Sequence, residues 1–371
     1  MADNSLASYL LILLGMMGRQ DSSVDNLPLG LARRVGATSS TFDVPAHKLL
    51  RAVIEHSPSP ETISREILVE LAKCEISAVK KLVDDLDGDR SVSPDDWAFN
   101  VHQELRQNTG NTTYLTALAS HYLSHLIVAF RNPGGKTTPQ ESIHLTPDLR
   151  RIEEIESLLS SAIVHQSQSA LKHLIFLRDG TRCPVTGFGM FGDDQVVIPR
   201  CAHIIPFSVH SKTHSYQAIE TFTGTILKAE DVHQLINHPA NAINIQNDAH
   251  DSMDKFLAWG IEATLVNDQW KYFFREVRPN RVAPTIRCKD GDEIKFGSGN
   301  GGNMILSPDP RICNLQLAMA RVFAASGAAE VFDQYLEDDD DDDCMSQVPV
   351  YFGGPFVDDD TLMRRIEELV T

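Results

Sequence analysis

Cys201-Ala202-His203-Ile204-Ile205-Pro206 and Asn241-Ala242-Ile243-Asn244-Ile245-Gln246-Asn247-Asp248-Ala249-His250-Asp251-Ser252-Met253-Asp254 carry the strongest structural signals in this sequence. The first has the pattern of an apolar strand ending on one imidazole, with Pro206 closing it. The second opens as a short strand and turns into a helix. That helix puts His250 and Asp254 four residues apart, where side chains share a face.

Between the two stretches, residues 208–236 read as an insert with helices at Ser215–Thr221 and Ala229–Ile236. Upstream, Asp179-Gly180 and Thr186-Gly187 are turn dipeptides around Cys183-Pro184-Val185, and Val196-Val197-Ile198 predicts a short strand. Downstream, Ala263–Val266 and Trp270–Val277 predict a hairpin across Asn267-Asp268. Gly297–Gly302 lacks the strand-helix context of a phosphate-binding loop and reads as a flexible turn. Ser307-Pro308-Asp309-Pro310 caps a last helix to about Leu336. The run Glu337–Asp343 is a self-repelling linker before a short amphipathic tail helix.

Towards the N-terminus the period becomes helical. Leu49, Leu50, Val53 and Ile54 recur at three- and four-residue spacing, and Ser59-Pro60 starts a further helix. Ser93-Pro94 starts another, and Thr113–Phe130 is strongly apolar. Leu145-Thr146-Pro147-Asp148 opens a helix predicted to run past Ile163 towards Leu177. His121 and His125 lie one turn apart without an acidic or cysteine neighbour, which favours packing over metal binding. The resulting division is a partly flexible leader at 1–45, a helical domain at 46–165, a mixed module at 166–336 and an acidic linker with tail helix at 337–371. The fold class is α+β.

At 371 residues the chain is long enough for two or three domains, each with its own core. Its six cysteines are scattered with no C-x-x-C pair, which excludes a cysteine-rich zinc module and fits a reducing compartment. The apolar stretch Tyr9–Met17 follows Asp3 rather than a basic segment and is too short to span a membrane, so a soluble intracellular protein is expected, in cytoplasm or nucleus. The net charge of −18 opposes generic attraction to a polyanion. It is unevenly spread: −6 over residues 1–170, −1 over 171–281 and −11 over 282–371. The acidity thus lies mostly outside those two stretches.

Phosphodiester hydrolysis needs a base to deprotonate water and a cation to offset charge on phosphate. A neutral histidine suits the first role. His203 stands on a stiff strand end, and His250 with Asp254 can share one divalent ion. Together with Arg178-Asp-Gly-Thr-Arg-Cys-Pro-Val-Thr-Gly187, these residues resemble the His-Asn-His (HNH) endonucleases, most of all the fungal-type branch. The resemblance covers roughly residues 170–260, on a C-x-x-T-G hairpin, an A-H-I-I-P strand and N-x(8)-H-x(3)-D.

The resemblance implies a ββα-metal finger with His203 as general base, Asn241 as structural organiser and His250 as metal ligand, joined by Asp254. It implies a divalent ion, Mg²⁺ or Mn²⁺ ahead of Zn²⁺, and a nucleic-acid substrate, DNA ahead of RNA. Arg178, Arg182 and Arg200 are candidate phosphate clamps. Ala202 stands where many members carry a metal-ligating Asp or His, and the zinc-binding cysteine pairs of other members are missing, which makes Cys183 and Cys201 core thiols. Two alternatives stay open: a catalytically idle or repurposed scaffold acting through a protein partner or homodimer on its helical region, and a small-molecule enzyme using His203.

Overall fold

The computed structural model describes residues 5–18, 44–73, 76–84, 93–107, 113–131, 155–190, 196–209 and 213–339. The acidic linker beyond Asp339, the tail helix and the start expected at Leu145 lie outside them.

Helices come first: α1 (Leu6–Met17), α2 (Ala46–His56), α3 (Pro60–Ala72), α4 (Ser77–Asp84), α5 (Pro94–Gln107) and α6 (Thr113–Tyr122). Helix α6 runs on through a π-helical turn, Leu123–Val128, into the short α7 (Ala129–Arg131). Within the stretch read as a leader, α1 is a core helix. Leu6, Tyr9, Leu10, Leu13 and Leu14 are all buried, and Tyr9 meets Trp97 of α5 edge to face at 5.5 Å. An all-apolar helix of this kind must be covered on most sides. Proline at the first turn of α3 costs no backbone bond, because that N–H has no intrahelical acceptor.

The single helix expected through to Leu177 is two, α8 (Ile155–Ile163) and α9 (Gln168–Asp179), broken where Gln166 takes φ +52°. Strand β1 (Pro199–His203) follows, with Val196 and Ile198 outside it and each 72% exposed. The apolar run that suggested a strand is therefore its approach segment. Next come α10 (Thr213–Thr223), α11 (Ala229–Leu235), a 3-10 turn at Pro239–Asn241, β2 (Ala242–Gln246) and α12 (Asn247–Asp254). β3 (Trp259–Val266), β4 (Gln269–Glu276), β5 (Glu293–Ile294), α13 (Pro310–Ala325) and α14 (Ala328–Asp339) complete the order. The last helix expected as one piece is split at Gly327, whose φ of +83° suits glycine.

Among the described residues two antiparallel sheets form, β1-β2 and β3-β4-β5. The hairpin β3-β4 turns at Asn267-Asp268, both at positive φ, as a two-residue connection of twisted strands requires. The molecule is α+β; β1 pairs with β2 across the insert that holds α10 and α11, and β2 runs directly into α12, so that the three form a ββα unit. One large buried cluster includes residues from Leu6 to Phe332, so the helical region and the mixed region share apolar packing. A smaller cluster lies under α8 and α9 and includes Leu171, Leu174, Cys201 and Ala242. Strand alternation places β1-β2 between them: Ala202 and its partner Ile243 belong to the large cluster, Cys201 and Ala242 to the small one. The glycine run is not a loose turn. Backbone N–H groups of Gly299 and Gly301 bond the carbonyls of Arg178 and Leu177, closing the C-terminal end of α9. A Cβ on Gly299 would lie 2.3 Å from the Leu177 carbonyl oxygen.

Candidate active site

His203 is the last residue of β1, paired with Ala242. Its ring is buried at 9% exposure, packs near Phe207 with centroids 5.7 Å apart, and its Nε2 lies 2.9 Å from Oδ1 of Asn237. Burial drives its pKa down to about 4. The Asn237 bond opposes the shift, and the like charge of His250 adds to it. His203 is therefore neutral at neutral pH, and His250 stands within its electrostatic reach.

Asn241 is fully buried and spends its amide on backbone. Its Oδ1 accepts from Ile205 N–H at 2.7 Å, and its Nδ2 donates to the carbonyls of Ile205 at 3.0 Å and Ile236 at 2.9 Å. Its own carbonyl accepts from Ile204 N–H at 2.9 Å. One side chain thus ties the exit of β1 to the end of the insert and the entry of β2, and the His203 backbone cannot shift without breaking these bonds.

His250 and Asp254 are half-buried on successive turns of α12, while Ala249 and Met253 point into the large core. His250 Nδ1 lies 3.5 Å from Asp251, which is also bonded by Lys255 at 2.9 Å. These contacts, the His250 bond first, hold the Asp251 carboxyl down at about 2. With Nδ1 facing Asp251, Nε2 is the nitrogen His250 has for an ion, the arrangement in which a carboxylate orients a ligand histidine. Among the described residues no three His, Cys, Asp or Glu side chains gather as a metal site.

The three arginines part company. Arg178 is fully buried. It is bonded to Asp179 and to the carbonyls of Pro239 at 2.7 Å, Ala242 at 2.8 Å and Leu306 at 3.0 Å, with Phe296 under its guanidinium. A guanidinium committed in this way brackets Asn241 from both sides and has no donor left to offer a phosphate. Arg182 and Arg200 are exposed. Arg182 donates to the Gly187 carbonyl, and Arg200 to Asn247 at the start of α12. Cys183 and Cys201 are buried thiols outside any disulfide, and Cys183 accepts from Gln246 N–H. Ala202, fully buried against Ile243, sits where a carboxylate would be desolvated in the large core.

Of the other histidines near the insert, His238 accepts from Ala240 N–H, His233 lies edge-on to Tyr216, and His214 contacts His125; His210 lies outside the described residues. Sequence reading missed Asn237, Gln168 and Asp251. Asp251 is adjacent to a candidate ligand and could have been flagged. Nothing local marks Asn237, which meets His203 only because the insert folds back.

Residues 183–259 match the family model described as HNH endonuclease, which points to a nuclease-type function for this segment. No curated protein and no solved structure matches the chain. Among the described residues, no helix is long and apolar enough to cross a membrane. The chain therefore carries, within residues 183–259, a segment similar to the HNH endonucleases.

Proposed function

We propose that the chain is a metal-dependent endonuclease of the HNH type, in its fungal-type branch, hydrolysing nucleic-acid phosphodiesters with DNA preferred to RNA. The observation that carries this reading is that the matched segment contains His203, Asn241, His250 and Asp254 together, on β1, on the entry turn of its partner strand β2, and on the helix α12 that follows β2.

His203, neutral at neutral pH, takes the proton from the attacking water as its oxygen bonds to phosphorus and the sugar oxygen departs. Asn241 holds the strand end that carries it. His250 Nε2 and the Asp254 carboxylate would hold the ion. Two protein donors suit Mg²⁺ or Mn²⁺, which keep several waters, and do not make the closed four-ligand cage of structural zinc. When bound, such an ion offsets charge on the phosphate and the leaving oxygen. Arg182, upstream of β1, and Arg200, within β1, are exposed and would be the phosphate contacts. Purified full-length chain should nick supercoiled plasmid with Mg²⁺ or Mn²⁺ and stop on chelation. No cleavage of DNA or RNA with any divalent ion would refute the proposal.

The burial of His203, the absence of a three-donor group among the described residues and the net charge of −18 favour a second reading, an idle or repurposed scaffold. In that case residues 46–165 would serve a protein partner or a second copy, through the exposed Val69, Phe99 and Tyr114. Calorimetric titration with Mn²⁺ separates the two: heat of binding lost in His250→Ala supports the nuclease, and no heat in the parent chain supports the scaffold.

A further inference from the structure

The insert between His203 and Asn241 ends in Asn237, which returns to the ring of His203 from 34 residues along the chain. Asn237 Nδ2 donates to the carbonyl of Ala162 at the end of α8, at 2.6 Å. A carbonyl only accepts, so this bond fixes which way the amide faces and turns Oδ1 to its other two neighbours. Gln168, the first residue of α9, donates its Nε2–H to that oxygen at 2.9 Å, and His203 Nε2 lies at 2.9 Å. An oxygen already facing one donor can accept from Nε2 only if Nε2 carries the ring proton. All three side chains are buried, His203 at 9%, Asn237 at 3% and Gln168 at 4% exposure, which keeps bulk water from competing for these bonds.

We propose that Asn237 is a positioning residue for His203: accepting from Nε2–H, it holds the imidazole in one tautomer and leaves Nδ1 as the nitrogen that takes the proton from water. The last clause rests on the nuclease reading; the hydrogen bond and the tautomer do not. Through Ala162 and Gln168 the same amide anchors the ring to α8 and α9, giving the insert a task at the site.

The test uses the full chain labelled with ¹⁵N-histidine, with His203 assigned by comparison with His203→Gln. The wild-type spectrum should show Nδ1 unprotonated and a low-field, slowly exchanging Nε2–H. Asn237→Leu, similar in volume but without an acceptor, should lose that low-field signal. In plasmid cleavage its kcat should fall on the order of 10- to 100-fold with KM unchanged. Asn237→Asp keeps an acceptor and should move the signal further downfield and recover part of kcat. His203 protonated at Nδ1 in the wild type, or a folded Asn237→Leu chain with the Nε2–H signal unmoved, overturns the assignment. Should Asn237→Leu not fold, an Nε2–H signal that stays put in Asn237→Asp overturns it equally. A wild-type chain that cleaves nothing removes the nuclease reading, and the resonances then decide the tautomer by themselves.

Discussion

Two groups of histidines lie inside this fold, and they are held differently. His203 meets an amide oxygen. His121, His125 and His214 meet each other, with ring centroids 4.7 Å apart for the first pair and 5.4 Å for the second, and His125 is 1% exposed. Burial lowers the pKa of His203 and of His121 alike, and His214 depresses His121 further as a like charge. The difference lies in what the contact selects. An oxygen on Nε2 chooses a tautomer and so prepares one nitrogen to act, whereas ring against ring only resists the gain of charge. Depth of burial alone does not separate a poised base from a packed ring.

The largest effect expected comes from the scaffold under His203. Arg178→Met removes a buried guanidinium from Asp179 and three carbonyls and should cost about 3–5 kcal/mol in denaturant unfolding. The bracket around Asn241 would loosen, while the ring contacts of the trio would stay. A loss under about 1 kcal/mol would show that His203 does not stand on this bracket.

Next is the acid limb of stability. His203 titrates near 6.5 when unfolded and near 4 when folded, so as pH falls below 6.5 the unfolded chain binds the proton first. Its favourable contribution is present above pH 6.5 and is lost on the way down to about 4, by about 3 kcal/mol. Unfolding midpoints against pH should slope accordingly, and His203→Gln should flatten the slope. His121→Gln should flatten it in the same direction. An acid slope unchanged in both variants would show that burial does not hold these two rings neutral.

The smallest effect belongs to Arg200. Arg200→Ala should leave stability within about 0.5 kcal/mol. It should weaken nucleic-acid binding at low salt and reduce the salt slope by about 1. Binding curves at several salt concentrations check this, and an unchanged slope would remove Arg200 from the phosphate contacts.

Much of the fold was legible because it depends on local period. The helices from Ala46 to Ala72, the hairpin across Asn267-Asp268 and the strand-helix passage from Ala242 to Asp254 follow their hydrophobic spacing and turn residues. Of the breaks at positive φ, Gln166 carries no local signal, whereas Ser326-Gly327 is a turn dipeptide that could have marked the end of α13. Val196 and Ile198 misled by being apolar yet exposed, since apolar residues outside a core are ordinary. Arg178 looked like a phosphate contact because its carbonyl partners lie 61 to 128 residues away. The strand end at His203, the turn at Asn241 and the helix carrying His250 were readable from local pattern, and the return of Asn237 to His203 was not. His121 and His125 were readable as a pair on one helix, but His214 reaches them only through α10.

If the chain is the proposed nuclease, catalysis belongs to His203 and not to the histidine trio. Single-turnover plasmid nicking with Mg²⁺ or Mn²⁺, by the wild-type chain, His203→Ala and His125→Ala side by side, tests it most directly. His203→Ala should be slower on the order of 10²- to 10⁴-fold, and folded His125→Ala should keep a rate near wild type. Equal rates in wild type and His203→Ala would contradict it.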